Sequence, residues 1–302
     1  MTGVVFCSPS DVSQALGVSI STVKRWVDEG VLPARKTVGG HRRILRADVL
    51  RLVREGNFPC VDLSGLDLPA GIQDTDPASL SQRLLDGLRV GDVDQTRSVL
   101  HGAYAAGLPI DVLGDAVIAP AMAQLGHDWK SGRIDVMHEH RATLLCTGVL
   151  HELRPALEAN APRGRPVAVG GNPEGDHSLL ASLLIQMMLL DGGWEAINLG
   201  PHTPLASFRV ALRELRPHLV WLSVSHLSDP QKFRDEYGAF HHEAKQGGVA
   251  VAVGGHALEV SLRDLLPASL HGASLTDLAV FARVLHPRPH LLKRGRPAGS
   301  DS

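Results

Sequence analysis

Aromatic side chains are scarce: four Trp, two Tyr and six Phe make up 4% of 302 residues. Glycine and proline together, 31 and 19, make one residue in six, a balance that suits a loop-rich α/β chain. Cysteine is nearly missing. Cys7, Cys60 and Cys146 lie far apart with no C-x-x-C pair, which excludes a disulfide framework and fits a reducing cytoplasm. No apolar run approaches the roughly 18 residues of a membrane span. Residues 1–10 show no charged segment followed by an apolar stretch. The expectation is a cytoplasmic protein, neither exported nor bound to a membrane. No internal repeat is evident, and no nucleophile–base pair or metal-ligand cluster offers chemistry of its own, so the chain does not read as an enzyme.

What is present divides by charge and rhythm. Hydrophobic residues make up 44% against 21% charged, enough to bury a core and exclude wholesale disorder. The length suits two or three domains of about 100–200 residues each. Net charge is −2, yet residues 1–56 carry nine Lys and Arg against five Asp and Glu, and the remaining 246 carry 21 against 27. A basic head on an acidic body points to nucleic-acid contact at the N-terminal end. Residues 57–78 have no apolar period and, with Pro59, Gly65, Pro69, Gly71 and Pro77, read as a linker. Over 79–162 apolar residues recur at helical spacing: Leu80, Leu84, Leu85 and Leu88, then Val112, Leu113, Val117 and Leu125, then Leu144, Leu145, Val149 and Leu153. That spacing predicts a bundle of about four helices.

Over 163–286, short apolar runs (166–170, 194–199, 219–224, 249–253) alternate with amphipathic stretches (179–190, 205–215, 231–245, 258–265, 275–285). This alternation predicts a parallel sheet with helices on both faces, a Rossmann-like domain of the flavodoxin type. Such sheets bind ligands beyond the carboxyl ends of their strands, which singles out the loops 171–178, 200–204, 225–230 and 254–257. Residues 287–302 read as a basic disordered tail, in which Lys293-Arg294-Gly295-Arg296-Pro297 is similar to an AT-hook core.

Within the head (1–56), residues 10–18 and 19–26 read as helix, glycine-containing turn and second helix, capped by Ser10 and Ser19. Val12, Leu16, Val18, Val23 and Trp26 would fill a small core. The same spacing leaves Ser21, Thr22, Lys24 and Arg25 outward, where a recognition helix meets a major groove. Gly39 and Gly40 then tip a basic hairpin whose Arg35, Lys36, His41, Arg42 and Arg43 are placed to meet phosphate. The plainer alternative is a small helical module with a solvated basic face. The segment resembles the winged-helix DNA-binding domain of the MerR family, whose wing motif is matched by Val38-Gly39-Gly40-His41-Arg42-Arg43-Ile44. That resemblance implies double-stranded operator DNA as a partner.

Sixteen histidines invite a search for ligand positions. His177 falls in Asn172-Pro173-Glu174-Gly175-Asp176-His177-Ser178, where the first strand of the sheet should end. Pro and Gly keep the loop extended, so its imidazole can project over the sheet edge. Asp176 is placed to hydrogen-bond nearby groups. Read alone, a loop histidine is more often a satisfied or exposed side chain than a ligand. In the bundle, Trp129, Glu139 and His140 flank a helix break, with Ser131-Gly132 stopping one helix and Asp135 capping the next. An indole with a carboxylate–imidazole pair can cover a flat, nucleoside-bearing ligand; in isolation the favoured reading is a buried Trp beside an exposed charged pair.

A bundle followed by a parallel α/β domain with this loop histidine is similar to the cobalamin-binding modules of methionine synthase and corrinoid proteins. Their loop pattern is D/E-x-H-x-x-G; here Gly175 stands at the acidic position and Leu180 at the glycine. Ser223-Val224-Ser225 and Val253-Gly254-Gly255 match two further features of those modules. Head, Trp129-x9-Glu139-His140 and loop histidine together resemble the CarH/LitR family of light-sensing, adenosylcobalamin-dependent transcriptional repressors. The resemblance implies adenosylcobalamin held by Trp129, Val136, Glu139, His140, Asp176, His177, Ser223, Ser225, Gly254 and Gly255, with His177 as lower axial cobalt ligand. It also implies a homo-oligomer, dimer or tetramer, that grips DNA in the dark and is released by light. Members that fix the light state by a second axial histidine carry it right after the tryptophan, where this chain has Lys130. Two other readings stay open. One is a regulator of this fold that senses another corrinoid, a tetrapyrrole such as haem or bilin, or no ligand. The other is a corrinoid methyl carrier, against which the DNA-binding head argues.

Overall fold

A computed structural model describes residues 6–36, 40–55, 76–158, 164–258 and 260–286. The linker up to residue 75, Cys60, the wing-tip residues 37–39 and the basic tail 287–302 lie outside the described residues.

The head consists of β1 (Phe6–Cys7), α1 (Pro9–Leu16), α2 (Ile20–Asp28), β2 (Ala34–Lys36), β3 (Arg42–Leu45) and α3 (Arg46–Glu55), with antiparallel strands in the order β1-β3-β2. Ser8, not Ser10, caps α1: its hydroxyl accepts from Asp11 N–H, and the Asp11 carboxylate accepts from Ser8 N–H. Pro9 explains the earlier start, since its ring presets φ for the first helical position. Ser19 caps α2 as the spacing predicts, accepting from Thr22 N–H at 3.1 Å. Val12, Leu16, Val23, Leu32, Ile44 and Val49 are buried as the head's core, and Val18 and Trp26 are half-buried at its margin.

The helical region follows. It comprises α4 (Pro77–Val90), α5 (Val93–Ala105), α6 (Ile110–Val112), a π-helical turn over Leu113–Ile118, α7 (Ala119–Lys130) and α8 (Val136–Glu158). Asp76 caps α4 and Pro77 is its first residue, so residues 77 and 78, read as linker, form its first turn. Leu80, Leu84, Leu85 and Leu88 are all buried. On α8 Val149 and Leu153 are buried, but Leu144, read as part of the same apolar stripe, is 63% exposed on the opposite face.

The last domain alternates β4 (Val167–Gly171), α9 (Leu180–Asp191), β5 (Glu195–Asn198), α10 (Leu205–Leu215), β6 (Leu219–Ser223), α11 (Pro230–Gln246), β7 (Ala250–Gly254), α12 (Val260–Arg263), β8 (Leu270–Gly272) and α13 (Leu275–Leu285). Its strands are parallel in the order β5-β4-β6-β7-β8. That is the flavodoxin-type winding, whose switch point falls between β4 and β6. Strand residues alternate between two faces. Leu219 and Trp221 join the core shared with the helical region, whereas Val220 and Leu222 pack with Phe208 and Phe240 of α10 and α11. Trp221 fits because Gly170 lies beside it; a Cβ there would sit 2.0 Å from the indole.

Two polar clasps join the helical region to the sheet. Asp115, presented by the π turn, accepts from Leu275 N–H, Thr276 N–H and the Thr276 hydroxyl at 2.8–2.9 Å, capping α13 from outside. Tyr104 donates its hydroxyl to Asp191 at 3.2 Å.

Candidate functional site

The loops after β4, β5, β6 and β7 meet at one edge of the sheet. Asp176, fully buried, is their fastening. Its carboxylate accepts from Ser225 N–H (2.6 Å), His226 N–H (3.1 Å), Ser178 N–H (3.0 Å) and the Asn172 amide (3.3 Å). It thus serves the backbone of the first and third loops. His177, next in the chain, is exposed and stacks on His202, ring centroids 5.0 Å apart and planes 15° from parallel. Ser223 is buried at the end of β6, and Ser225 is half-buried. Gly254 and Gly255 let the fourth loop approach. A Cβ on Gly255, at φ 124°, would lie 2.2 Å from Val224 O, and one on Gly254 2.7 Å from Gly272 O. The structure therefore gathers Asp176, His177, Ser223, Ser225, Gly254 and Gly255 along one sheet edge.

The helical region stands beside this edge. A cavity of about 230 Å³ lies between α8 and the first two loops, lined among others by Thr147, His151, Arg154, Asn172, Ser182 and Asn198. The Asn172 side-chain oxygen is buried there with no hydrogen-bond partner among the described residues, a state that costs about 1–3 kcal/mol unless something fills it. Burial, and then the charge of Arg154, lowers the pKa of His151 below the usual imidazole range. A neutral imidazole keeps one acceptor nitrogen.

At the other end of α8, Trp129 and Val136 are 43% and 36% exposed across the helix break. Gly132, at φ 72°, ends the turn after α7, and Asp135 accepts from Met137 N–H at 2.9 Å, as the sequence predicts. Trp129 is exposed rather than buried. Glu139 accepts from the Thr143 hydroxyl (2.9 Å) and lies 3.7 Å from exposed His140. Asp128 anchors this break: its carboxylate takes Arg89 at 2.7 Å, Gln124 at 2.8 Å and Arg133 at 2.6 Å. Arg89 first, then Gln124, hold that carboxyl down to about 2. Val136, His140, Leu144, Thr147, His151 and Arg154 recur every three or four residues and share one face of α8. Because the last three line the cavity, the first three extend that face outward from it. Among the described residues no hydrogen bond or ion pair joins Trp129, Val136, Glu139 or His140 to His177.

In the head, Ser21, Lys24 and Arg25 are exposed on α2. The hydroxyls of Ser21 and Thr22 are tied to Ser19 at 2.7 and 2.8 Å, so both serve the helix cap first. Arg35 and Arg43 face each other across the hairpin, both exposed, and His41 is exposed beside them. Lys36 ends β2 in register with Arg42. Arg42 departs from its expected place as a free phosphate contact: it pairs with Asp28 at 2.6 Å and ties the wing to α2.

Sequence reasoning missed His202, His151 and Asn172. A signal for the first existed. A histidine follows each of the first four strands of the sheet, as His177, His202, His226 and His256.

Among the described residues no group of three or more His, Cys, Asp or Glu could hold a metal ion, and no helix is long and apolar enough to cross a membrane.

Two family models match the chain: a helix-turn-helix domain over residues 6–57 and a B12 binding domain over residues 80–154. The protein is thus of the class that joins a helix-turn-helix domain to a B12 binding domain. Among curated proteins it is similar to the HTH-type transcriptional repressor CarA of Myxococcus xanthus, 25% identical over 74% of this chain and 77% of that one. It is likewise similar to the HTH-type transcriptional repressor CarH of the same organism, 27% identical over 81% of this chain and 87% of that one. The fold is shared with the monomethylamine corrinoid protein of Methanosarcina barkeri (TM-score 0.55, 19% identity), across 68% of this chain and 97% of that one.

Proposed function

We propose that this chain is a light-responsive transcriptional repressor of the cytoplasm. In the dark it holds adenosylcobalamin and associates as a dimer or tetramer on double-stranded operator DNA; light releases it. We propose no catalytic activity. The observation that carries this reading is the single face of α8 running from Val136, His140 and Leu144 to the cavity beside the His177 loop.

The residues present fit a cobalamin. An exposed imidazole stands at the sheet edge, and a cavity with an unpartnered buried oxygen on Asn172 lies next to it. Exposed apolar side chains continue above. His177 would supply the lower axial ligand, and Asp176 would keep its loop in place through the amides of Ser178, Ser225 and His226. Trp129 and Val136 would cover the adenosyl group, with Glu139 and His140 hydrogen-bonding its ribose or adenine. Ser223, Ser225, Gly254 and Gly255 would border the nucleotide tail. When bound, adenosylcobalamin supplies a cobalt–carbon bond that visible light breaks.

The chain's own part is packing and association. Covering Trp129, Val136 and Leu144 removes apolar surface from water and favours the arrangement of α7 and α8 described above. Assembly on DNA requires tighter cofactor binding to the DNA-competent state than to the released one. Several heads on one assembly then raise DNA affinity through effective concentration. A second reading, a cobalamin regulator whose light state has no second axial histidine, is favoured by Lys130, exposed beside Trp129.

The full chain, mixed with adenosylcobalamin in the dark and desalted, should retain a cobalamin absorbance spectrum that shifts after green light. His177→Ala should retain none. If the unaltered chain keeps no cobalamin, the reading fails; a retained spectrum indifferent to light would reduce it to a light-blind corrinoid regulator.

A further inference from the structure

His202 stands out among the loop histidines. Only it and Arg216, among described non-glycine residues, have positive φ, at 53° and 45°, a conformation that L side chains adopt rarely. Three hydrogen bonds hold it there. Its N–H donates to Asp176 O at 2.8 Å, its Nδ1 accepts from Gly175 N–H at 2.8 Å, and Thr203 N–H, next in the chain, donates to Asn172 O at 2.9 Å. With backbone and ring nitrogen both engaged, the ring is restrained, and its face lies toward His177.

Resting on the cobalamin reading, we propose that His202 is the positioning residue for His177, holding the imidazole by ring stacking in the orientation a cobalt ligand needs. A metal-bound histidine ordinarily relies on an outer partner to fix its ring. Asp176 is committed to backbone amides, and Gly175 has no side chain to offer. A Cβ at position 175, where φ is 86°, would meet the Ser228 hydroxyl at 2.8 Å. The Gly175 amide instead points at His202, so the orienting task passes to the second loop. Because Nδ1 of His202 is taken, that nitrogen does not compete for the metal.

The test uses the full chain labelled with nitrogen-15 histidine, loaded with cob(II)alamin and read by electron paramagnetic resonance. A ligating labelled histidine splits the cobalt signal into doublets, whereas the cofactor's own benzimidazole nitrogen gives triplets. The unaltered chain should show doublets. His202→Asn tolerates the left-handed backbone and keeps an acceptor for Gly175 N–H but has no ring. It should lose the doublets in most molecules and bind cob(II)alamin about tenfold more weakly, with an unchanged melting temperature. His202→Tyr restores a ring but not the acceptor for Gly175 N–H, so it should recover them only in part. If His202→Asn fails to fold, His202→Gly carries the same comparison. Doublets and affinity equal to the unaltered chain's would overturn the inference and leave the cobalamin reading standing. If the unaltered chain binds no cob(II)alamin, or binds it without doublets, the His177 assignment itself falls, and the inference with it.

Discussion

Burial decides what the titratable residues of this chain can do. His101 on α5 is 2% exposed, with Nε2 3.1 Å from Val149 O and 3.8 Å from Glu152. Glu152 is itself clamped by Arg97 through bonds of 2.8 and 3.0 Å. Desolvation pushes the pKa of His101 down to about 4, against the opposing pull of Val149 O and Glu152. An unfolded histidine titrates near 6.5, so between those values the unfolded chain binds a proton that the folded chain refuses. Stability is therefore fully present above about 6.5 and falls as pH descends toward 4, by on the order of 3 kcal/mol. Urea unfolding at pH 7 and at pH 4.5 should show this loss, and His101→Phe should remove the larger share of it. His151, His241 and His286, also lowered chiefly by burial, leave a smaller slope of the same sign. An identical slope in His101→Phe would refute the assignment. At this scale the sequence revealed residue types but not partners. The local donors of Asp176, Ser178 N–H and the Asn172 amide, do not reveal it as a fastener between loops, because the two amides that make it one, those of Ser225 and His226, lie about 50 residues away.

Among the elements, α8 has the most consequences. Its inner face, with Cys146, Val149, Leu150 and Leu153, is buried, and it packs against α5, α9 and α3 of the head. Its outer face carries the exposed Val136, His140 and Leu144. One helix therefore touches the head, the sheet domain and the cavity beside the first two loops. Leu144→Ala should change unfolding free energy by less than about 0.5 kcal/mol, since the side chain packs on nothing it would lose. The same change should weaken adenosylcobalamin retention measurably in equilibrium dialysis. A large stability loss with unchanged retention would mean that Leu144 serves the bundle, as the apolar spacing alone suggests.

That ambiguity marks the limit of periodicity. Leu144 and Leu145 both fit a 3.6-residue stripe, and only packing tells which face is core. The strands were legible because parallel strands buried on both faces appear as continuous apolar runs. β8, three residues of Leu, His and Gly, has no such run and escaped notice. The π turn left no mark in composition, yet it delivers Asp115 to the start of α13.

For the whole molecule, a basic head on an acidic body confines the cationic surface to the helix-turn-helix domain. Arg35 and Arg43, exposed on the hairpin, and Lys24 and Arg25 on α2 form the cationic surface, while Arg42 is spent on holding the wing to α2. The division into head, helical region and sheet domain was visible from charge and rhythm alone. What was not visible is that the head packs, through α3, on the same helix that lines the cavity beside the first two loops. The proposed coupling of cofactor to DNA runs through α8, and DNA affinity in two cofactor states reads it out. A duplex is first selected from a random pool by the full chain loaded with adenosylcobalamin in the dark, and its dissociation constant is measured by fluorescence anisotropy before and after green light. Binding should be at least about tenfold weaker after illumination, a coupling of about 1.4 kcal/mol. Equal affinity in both states would contradict it.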